Sequence, residues 1–146
     1  MSATLNLYER DFYAWAKEQA KLIKQKAFNK LDVLNLFEEV EDMGNRHADE
    51  MESRLEILLM HLLKWKYQPN FQSKSWQYTI KEQRKRLALR LKKMPSLKKK
   101  LPELFIEAYD LALDDAVQET GLDYSVFPKT CEWTLTQVLK EDFLPK

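Results

Sequence analysis

One stripe constrains this chain more than any other feature. Phe37, Glu41, Gly44, Ala48, Met51, Leu55, Leu58, Leu62 and Trp65 follow one another at alternating spacings of four and three. That alternation holds to one face of an α-helix and is the packing seam of a long helix in a bundle or coiled coil. Read as one element from about residue 32 to 67, it predicts a helix roughly 50 Å long. Gly44 sits in its middle, where glycine costs about 1 kcal/mol relative to alanine. It marks a close approach of another helix, a kink or a break.

The rest of the chain also reads as helix. Tyr8, Phe12, Trp15, Gln19 and Leu22 share one face of a segment over 7–27. Trp76, Ile80, Leu87, Leu91 and Met94 do so over 73–94, which ends where Met94 precedes Pro95. A fourth segment, 102–120, starts at Pro102 and stops at Gly121. The tail reads as an extended crossing followed by a short helix around 134–140. Only two glycines and five prolines punctuate 146 residues. A sandwich or barrel needs far more turns with special dihedrals. The expected fold is a single all-α domain over 1–146: a helical bundle of about four main helices, with one long central helix and a short C-terminal helix. At 45% hydrophobic residues, the chain has enough apolar material for a core.

Compartment and solubility follow from three observations. Cys131 is the one cysteine, so no disulfide closes within the chain and a reducing, cytoplasmic setting is expected. Charge begins at Glu9, which leaves no apolar core of signal-peptide length before it. The most apolar run, "ILLMHLLKW", is half a membrane span and already carries His61 and Lys64. A soluble protein with no membrane association is the reading.

Net charge is +1, but its layout is uneven. Residues 1–60 carry net −4, 61–100 net +12 and 101–146 net −7. The basic block includes Lys81, Arg84, Lys85, Lys92, Lys93, Lys98, Lys99 and Lys100. Two readings stay open. Clustered lysine and arginine gain from counterion release on a phosphate backbone. Alternatively, the acidic helices neutralise the block, within the chain or across a dimer; this second reading is favoured.

Candidate site residues form a polar group: Glu38, Glu41, His61, Lys64, Gln68 and Arg84. Glu41 falls on the apolar seam, where a carboxylate needs a partner; an arginine or lysine of the third segment, or the indole of Trp15 or Trp76, is expected. His47, Arg54, His61 and Gln68 are spaced seven apart along one helix edge; each step is two turns, about 10 Å, so the two histidines are too far apart to share a metal. No E-x-x-H pair, glycine-rich phosphate loop, H-E-x-x-H or G-x-S-x-G occurs. No catalytic residue, metal site or cofactor is assigned, and Cys131 reads as a half-buried packing residue. Trp65 and Trp76, either side of the turn "KYQPNFQSKS", are expected to pack together or against Trp15. Tyr67 and Gln68 are expected to satisfy backbone groups freed at that turn.

These residues carry a resemblance. "LYERDFYAWAKEQAKLI", "LDVLNLFEEVEDMG", "LLMHLLKWKYQP", "SWQYTIKEQRKRL", "AYDLALDDAVQETGL" and "FPKTCEWTLTQVLKEDFLP" follow one another as in the bacterial family known as domain of unknown function 29. The chain resembles that family from about Tyr8 to Pro145. The signature residues present are Asp11, Trp15, Glu38, His61, Lys64, Trp65, Gln68, Pro69, Ser75, Trp76, Arg84, Glu119, Pro128 and Cys131. Where the family often has Cys-Pro-Tyr, this chain has Cys131, Glu132 and Trp133, so roles tied to that proline or tyrosine do not carry over. The resemblance implies an all-helical fold and brings no activity.

The leading expectation is therefore a protein-interaction module that self-associates through the long helix. The alternatives are a nucleic-acid-binding accessory protein using the 81–100 block, which is not favoured, and a cryptic hydrolase or nuclease, less favoured still.

Overall fold

The computed structural model describes residues 3–146, with side chains from Leu7 onward. Six α-helices and no strand occur among the described residues: α1 (Ala3–Arg10), α2 (Phe12–Lys24), α3 (Val33–Tyr67), α4 (Lys74–Lys93), α5 (Leu101–Thr120) and α6 (Leu135–Leu139), joined by short 3-10 turns. The all-α class, the long central helix and the short C-terminal helix are as the sequence predicts. The chain divides into two compact units, Met1–Arg46 and His47–Lys146, with the boundary inside α3.

In the first unit, the segment expected as one helix is two. Asp11 ends α1 and caps α2, accepting a hydrogen bond from the Ala14 amide at 3.1 Å. At the far end of α2, the amide of Ala27 donates to the Leu22 carbonyl (2.9 Å) and that of Lys26 to Ile23 (3.0 Å). This closure places Lys26 at φ +59°, a left-handed position that favours glycine. Trp15 and Gln19 are the residues this unit buries. Tyr8 meets Trp15 edge-on at 4.7 Å between centroids, and Phe12 lies 5.4 Å away. The Trp15 indole donates to Asp32 (3.0 Å), and the Asp32 amide donates to the Gln19 side-chain oxygen (2.9 Å). Trp15 is thus held by Asp32 and not by Glu41, which is exposed on α3.

The second unit holds the main core. The buried seam of α3, from Met51 through Leu55, Leu58 and Leu62 to Trp65, packs with Ile80 and Leu87 of α4 and Leu104, Ala108 and Ala112 of α5. Pairings give the directions. Arg90 meets Glu50 and Gln83 meets Arg54, so α4 runs antiparallel to α3. Lys64 meets Glu119, and Glu52 and Glu56 meet Glu107 and Asp115, so α5 runs parallel to it. Local chemistry sets the ends of these helices. Ser73 caps α4 through the Trp76 amide (3.2 Å). Gly121 ends α5 at φ +74°, and Thr134 with Gln137 forms a capping box on α6.

The turn after α3 differs in detail from the sequence reading. Trp65 is buried in the core, whereas Trp76 lies beneath the Lys64 ammonium, 4.7 Å from its centroid. Among the described residues the two indoles form no ring pair; Tyr67 pairs edge-on with Phe127 instead (5.2 Å). The freed Trp65 carbonyl accepts from Gln72 (2.9 Å), and the Tyr67 hydroxyl donates to Glu132 (3.2 Å).

Candidate functional site

Four features of the molecule carry chemistry, and each grows from a local rule of the fold.

The first is the polar corner at the end of α3. Lys64 is buried to within 9% of its surface, the aliphatic stem packing inward while the ammonium reaches Glu119 (3.6 Å) and the Trp76 ring. One turn back, Nδ1 of His61 donates to the Ile57 carbonyl at 2.8 Å; a carbonyl only accepts, so that nitrogen carries the proton. Burial pushes the imidazole pKa down, and the Lys64 charge adds to this. The neutral ring is the form this setting favours. Gln68, half-buried, follows at the helix end.

The second feature is a clamp on the tail. Arg84 of α4 is buried and donates from all three guanidinium nitrogens to backbone carbonyls: Nε to Val138 (2.8 Å), Nη1 to Glu141 (3.2 Å) and Nη2 to Phe143 (2.7 Å). The last carbonyls of a helix lack partners within it and carry partial negative charge. A cation at the end of α6 satisfies both needs. Arg84 therefore holds the C-terminal segment against α4.

That docking forms the third feature. Two adjoining cavities of about 600 and 500 Å³ run between α4 and the tail, sharing Lys81, Arg84 and Glu141. Ile80, Leu89, Leu139 and Leu144 supply apolar lining. Lys81, Lys85 and Lys92 supply an exposed basic rim, and none of the three has an ion-pair partner among the described residues. Lys93, Lys98 and Lys99 are likewise exposed without one, while Lys100 pairs with Glu103 at 3.4 Å. Among the described residues of the second unit, the acidic helices pair with the 81–100 block at two points, Lys100 with Glu103 and Arg90 with Glu50 (2.9 Å), and Glu50 also accepts from Arg54 (3.0 Å). Glu107 and Asp115 of α5 instead face acids of α3. Contact with the Asp115 carboxyl, together with partial burial and repulsion by Asp115 and Glu52, pushes the Glu56 pKa up to about 7. Partial burial, Glu107 and Asp49 raise that of Glu52. Two carboxyls in such contact share a proton.

The fourth feature is the first part of α3. Every residue from Val40 to His47 is exposed. Eight residues are more than two turns, so the helix is open to solvent on all sides there. Val33, Phe37, Val40 and Met43 are each more than half exposed. Among the described residues, a Cβ added at Gly44 would meet nothing within 4 Å, so none of them requires the glycine.

A family model described as domain of unknown function DUF29 matches residues 7–144. The chain belongs to the DUF29 family. The comparisons with curated proteins and with solved structures give no match. No helix of the described residues of this DUF29 chain is long and apolar enough to cross a membrane.

Of the polar group singled out from sequence, the structure brings together His61 and Lys64, with Trp76 and Glu119. Glu38 and Glu41 belong to the first unit and are exposed. Arg84 is occupied at the tail. No group of three or more histidine, cysteine or acidic side chains among the described residues is placed to hold a metal ion. Cys131 lies beside a small cavity of about 280 Å³ lined by Phe105, Ile106 and Tyr109; burial pushes its thiol pKa up to about 11, which keeps the thiol protonated at neutral pH. Sequence reasoning missed the Glu56–Asp115 pair and the apolar lining from the tail. The four-residue step from Glu52 to Glu56 on one helix edge was the available signal for the first; nothing local signals the second.

Proposed function

We propose that this DUF29 protein is an interaction module that self-associates through the first part of α3. One observation carries the reading: the packing seam of α3 continues into a stretch, Val40–His47, in which every residue is exposed. Its neighbours reinforce the point. Nine large hydrophobic side chains are exposed between Phe12 and Met43, against eight in the whole second unit. The first unit is less than half as long, so its apolar surface is far denser. Dense exposed apolar surface marks association sites. A bare stretch of helix containing glycine also gains no stability from tertiary packing until a partner covers it. Val33, Phe37, Val40 and Gly44, at spacings of four, three and four, form the face that a second helix would cover.

Size-exclusion chromatography with light scattering tests this. The wild type is expected to form a dimer or higher oligomer at micromolar concentration. Phe37→Glu with Val40→Glu is expected to give a folded monomer. A wild-type monomer throughout the high micromolar range would overturn the reading.

The unpaired lysines along α4 favour one second reading, a nucleic-acid accessory role, because uncompensated clustered cations attract a phosphate backbone. Tyr78 is exposed on the same helix, one turn before Lys81. Absence of salt-sensitive binding in a gel shift at low ionic strength would remove it.

A further inference from the structure

We infer that the groove between α4 and the tail receives the first part of α3 from a second copy of the chain. This inference rests on the self-association reading and names the surface that completes it.

The groove's chemistry defines its occupant. Its lining is apolar at Ile80, Leu89, Leu139 and Leu144; its exposed rim is basic along α4 at Lys81, Lys85 and Lys92, while the tail side carries Lys140, Glu141 and Asp142. A phosphate backbone would engage the rim and leave the apolar lining wet. An amphipathic helix with an apolar face and acidic flank engages both. The chain carries such a helix without a cover. On α3, Val33, Phe37 and Val40 form an exposed apolar face, with exposed Glu41 beside it, Glu38 further round on the same side and Asp42 on the back of the helix. The lengths agree. Residues 33–43 make about 16 Å of helix, and the groove follows α4 from Gln77 to Lys92, about 22 Å.

Neither set of charges is ion-paired. Among the described residues, Glu38, Glu41 and Asp42 take part in no salt bridge, and neither do Lys81, Lys85 and Lys92. Juxtaposing them neutralises two patches at once and sets the register of the helix in the groove. If each of two copies gives its helix to the other, the exchange is symmetric and closes as a dimer, leaving no groove open to extend a filament.

Charge exchange tests the idea without touching the core, since every residue involved is exposed. Lys81→Glu with Lys85→Glu places acid against acid; Glu38→Lys with Glu41→Lys places base against base. Each double variant alone is expected to weaken dimerisation by at least about tenfold, with unchanged far-UV circular dichroism. An equimolar mixture of the two is expected to restore the dimer, because each helix then meets a groove of opposite sign. The inference is overturned if the Lys81/Lys85 variant dimerises like the wild type, or if the mixture stays monomeric. Either result with a wild-type dimer leaves self-association standing, whereas a wild-type monomer removes both. It is also overturned if that variant keeps its dimer while losing salt-sensitive retention of single-stranded RNA, which would assign the groove to a phosphate backbone.

Discussion

The two ends of α3 obey one pattern and meet opposite fates. From Met51 to Trp65 the seam residues are buried, covered by α4 and α5. From Val33 to His47 the same repeat is largely bare, and Phe37, on the same stripe as Leu58, is 61% exposed while Leu58 is fully buried. Helical periodicity states which face would bury favourably. It does not state what covers that face, because a cover from the same chain and a cover from another copy impose the same spacing. Half of α3 is explained by the chain itself, and half is left for an association.

Core truncation is the strongest way to break this contrast. Leu58→Ala is expected to remove about 2–5 kcal/mol of unfolding free energy in a urea titration. Phe37→Ala, measured on dilute protein, is expected to change it by no more than about 0.5 kcal/mol. Equal losses would mean that the bare end is covered within the chain.

The tail clamp comes next. Arg84→Met removes three hydrogen bonds from a buried cation and leaves the carbonyls of Val138, Glu141 and Phe143 without it. A loss of about 2–4 kcal/mol is expected, with early proteolysis of the C-terminal segment as its local signature. Unchanged protection of the tail would show that its apolar contacts suffice.

The covered end of α3 should also leave a pH signature. The Glu56 pKa is about 7 in the folded protein, above the ordinary value of 4.5. The folded state therefore binds an extra proton between those values, and stability falls as pH rises through them. Thermal melts are expected to show a lower midpoint at about pH 8 than at about pH 5. Glu56→Gln, which keeps a neutral donor beside Asp115, is expected to flatten the slope. A slope that persists unaltered in the variant would place the titration elsewhere.

The smallest effect is the sharpest on the bare end. None of the described residues contacts the position where a Cβ would stand at Gly44, so Gly44→Ala is expected to stabilise the isolated chain by up to about 1 kcal/mol through helix propensity alone. Measured against concentration, the same substitution is expected to weaken the dimer if the two copies approach closely there. A gain in both would place the partner helix on another face.

The number of main helices, their type and most of their ends were legible because each rests on short-range rules. Met94 before Pro95, Gly121, Ser73 and the spacing of α3 act over a few residues, and the structure follows them. The split at Asp11 was missed because a capping aspartate reads like any surface acid until its neighbouring amide turns toward it. Lys64 was singled out for chemistry, and the structure supplies its setting: Trp76 beneath it and Glu119 opposite, groups brought in from α4 and α5. Arg84 reads from the sequence as one cation of the basic block. The three carbonyls that bury it come from a segment more than fifty residues further on.

By itself, then, the sequence determined the class of structure, the seam of α3 and the separation of basic from acidic segments, since those follow from periodicity, propensity and composition. Tertiary structure alone decided which end of that seam is covered and which charges remain unpaired. It decided that the tail lies against α4 to make a groove. Such facts depend on pairings between residues far apart in the chain, and no local rule encodes them.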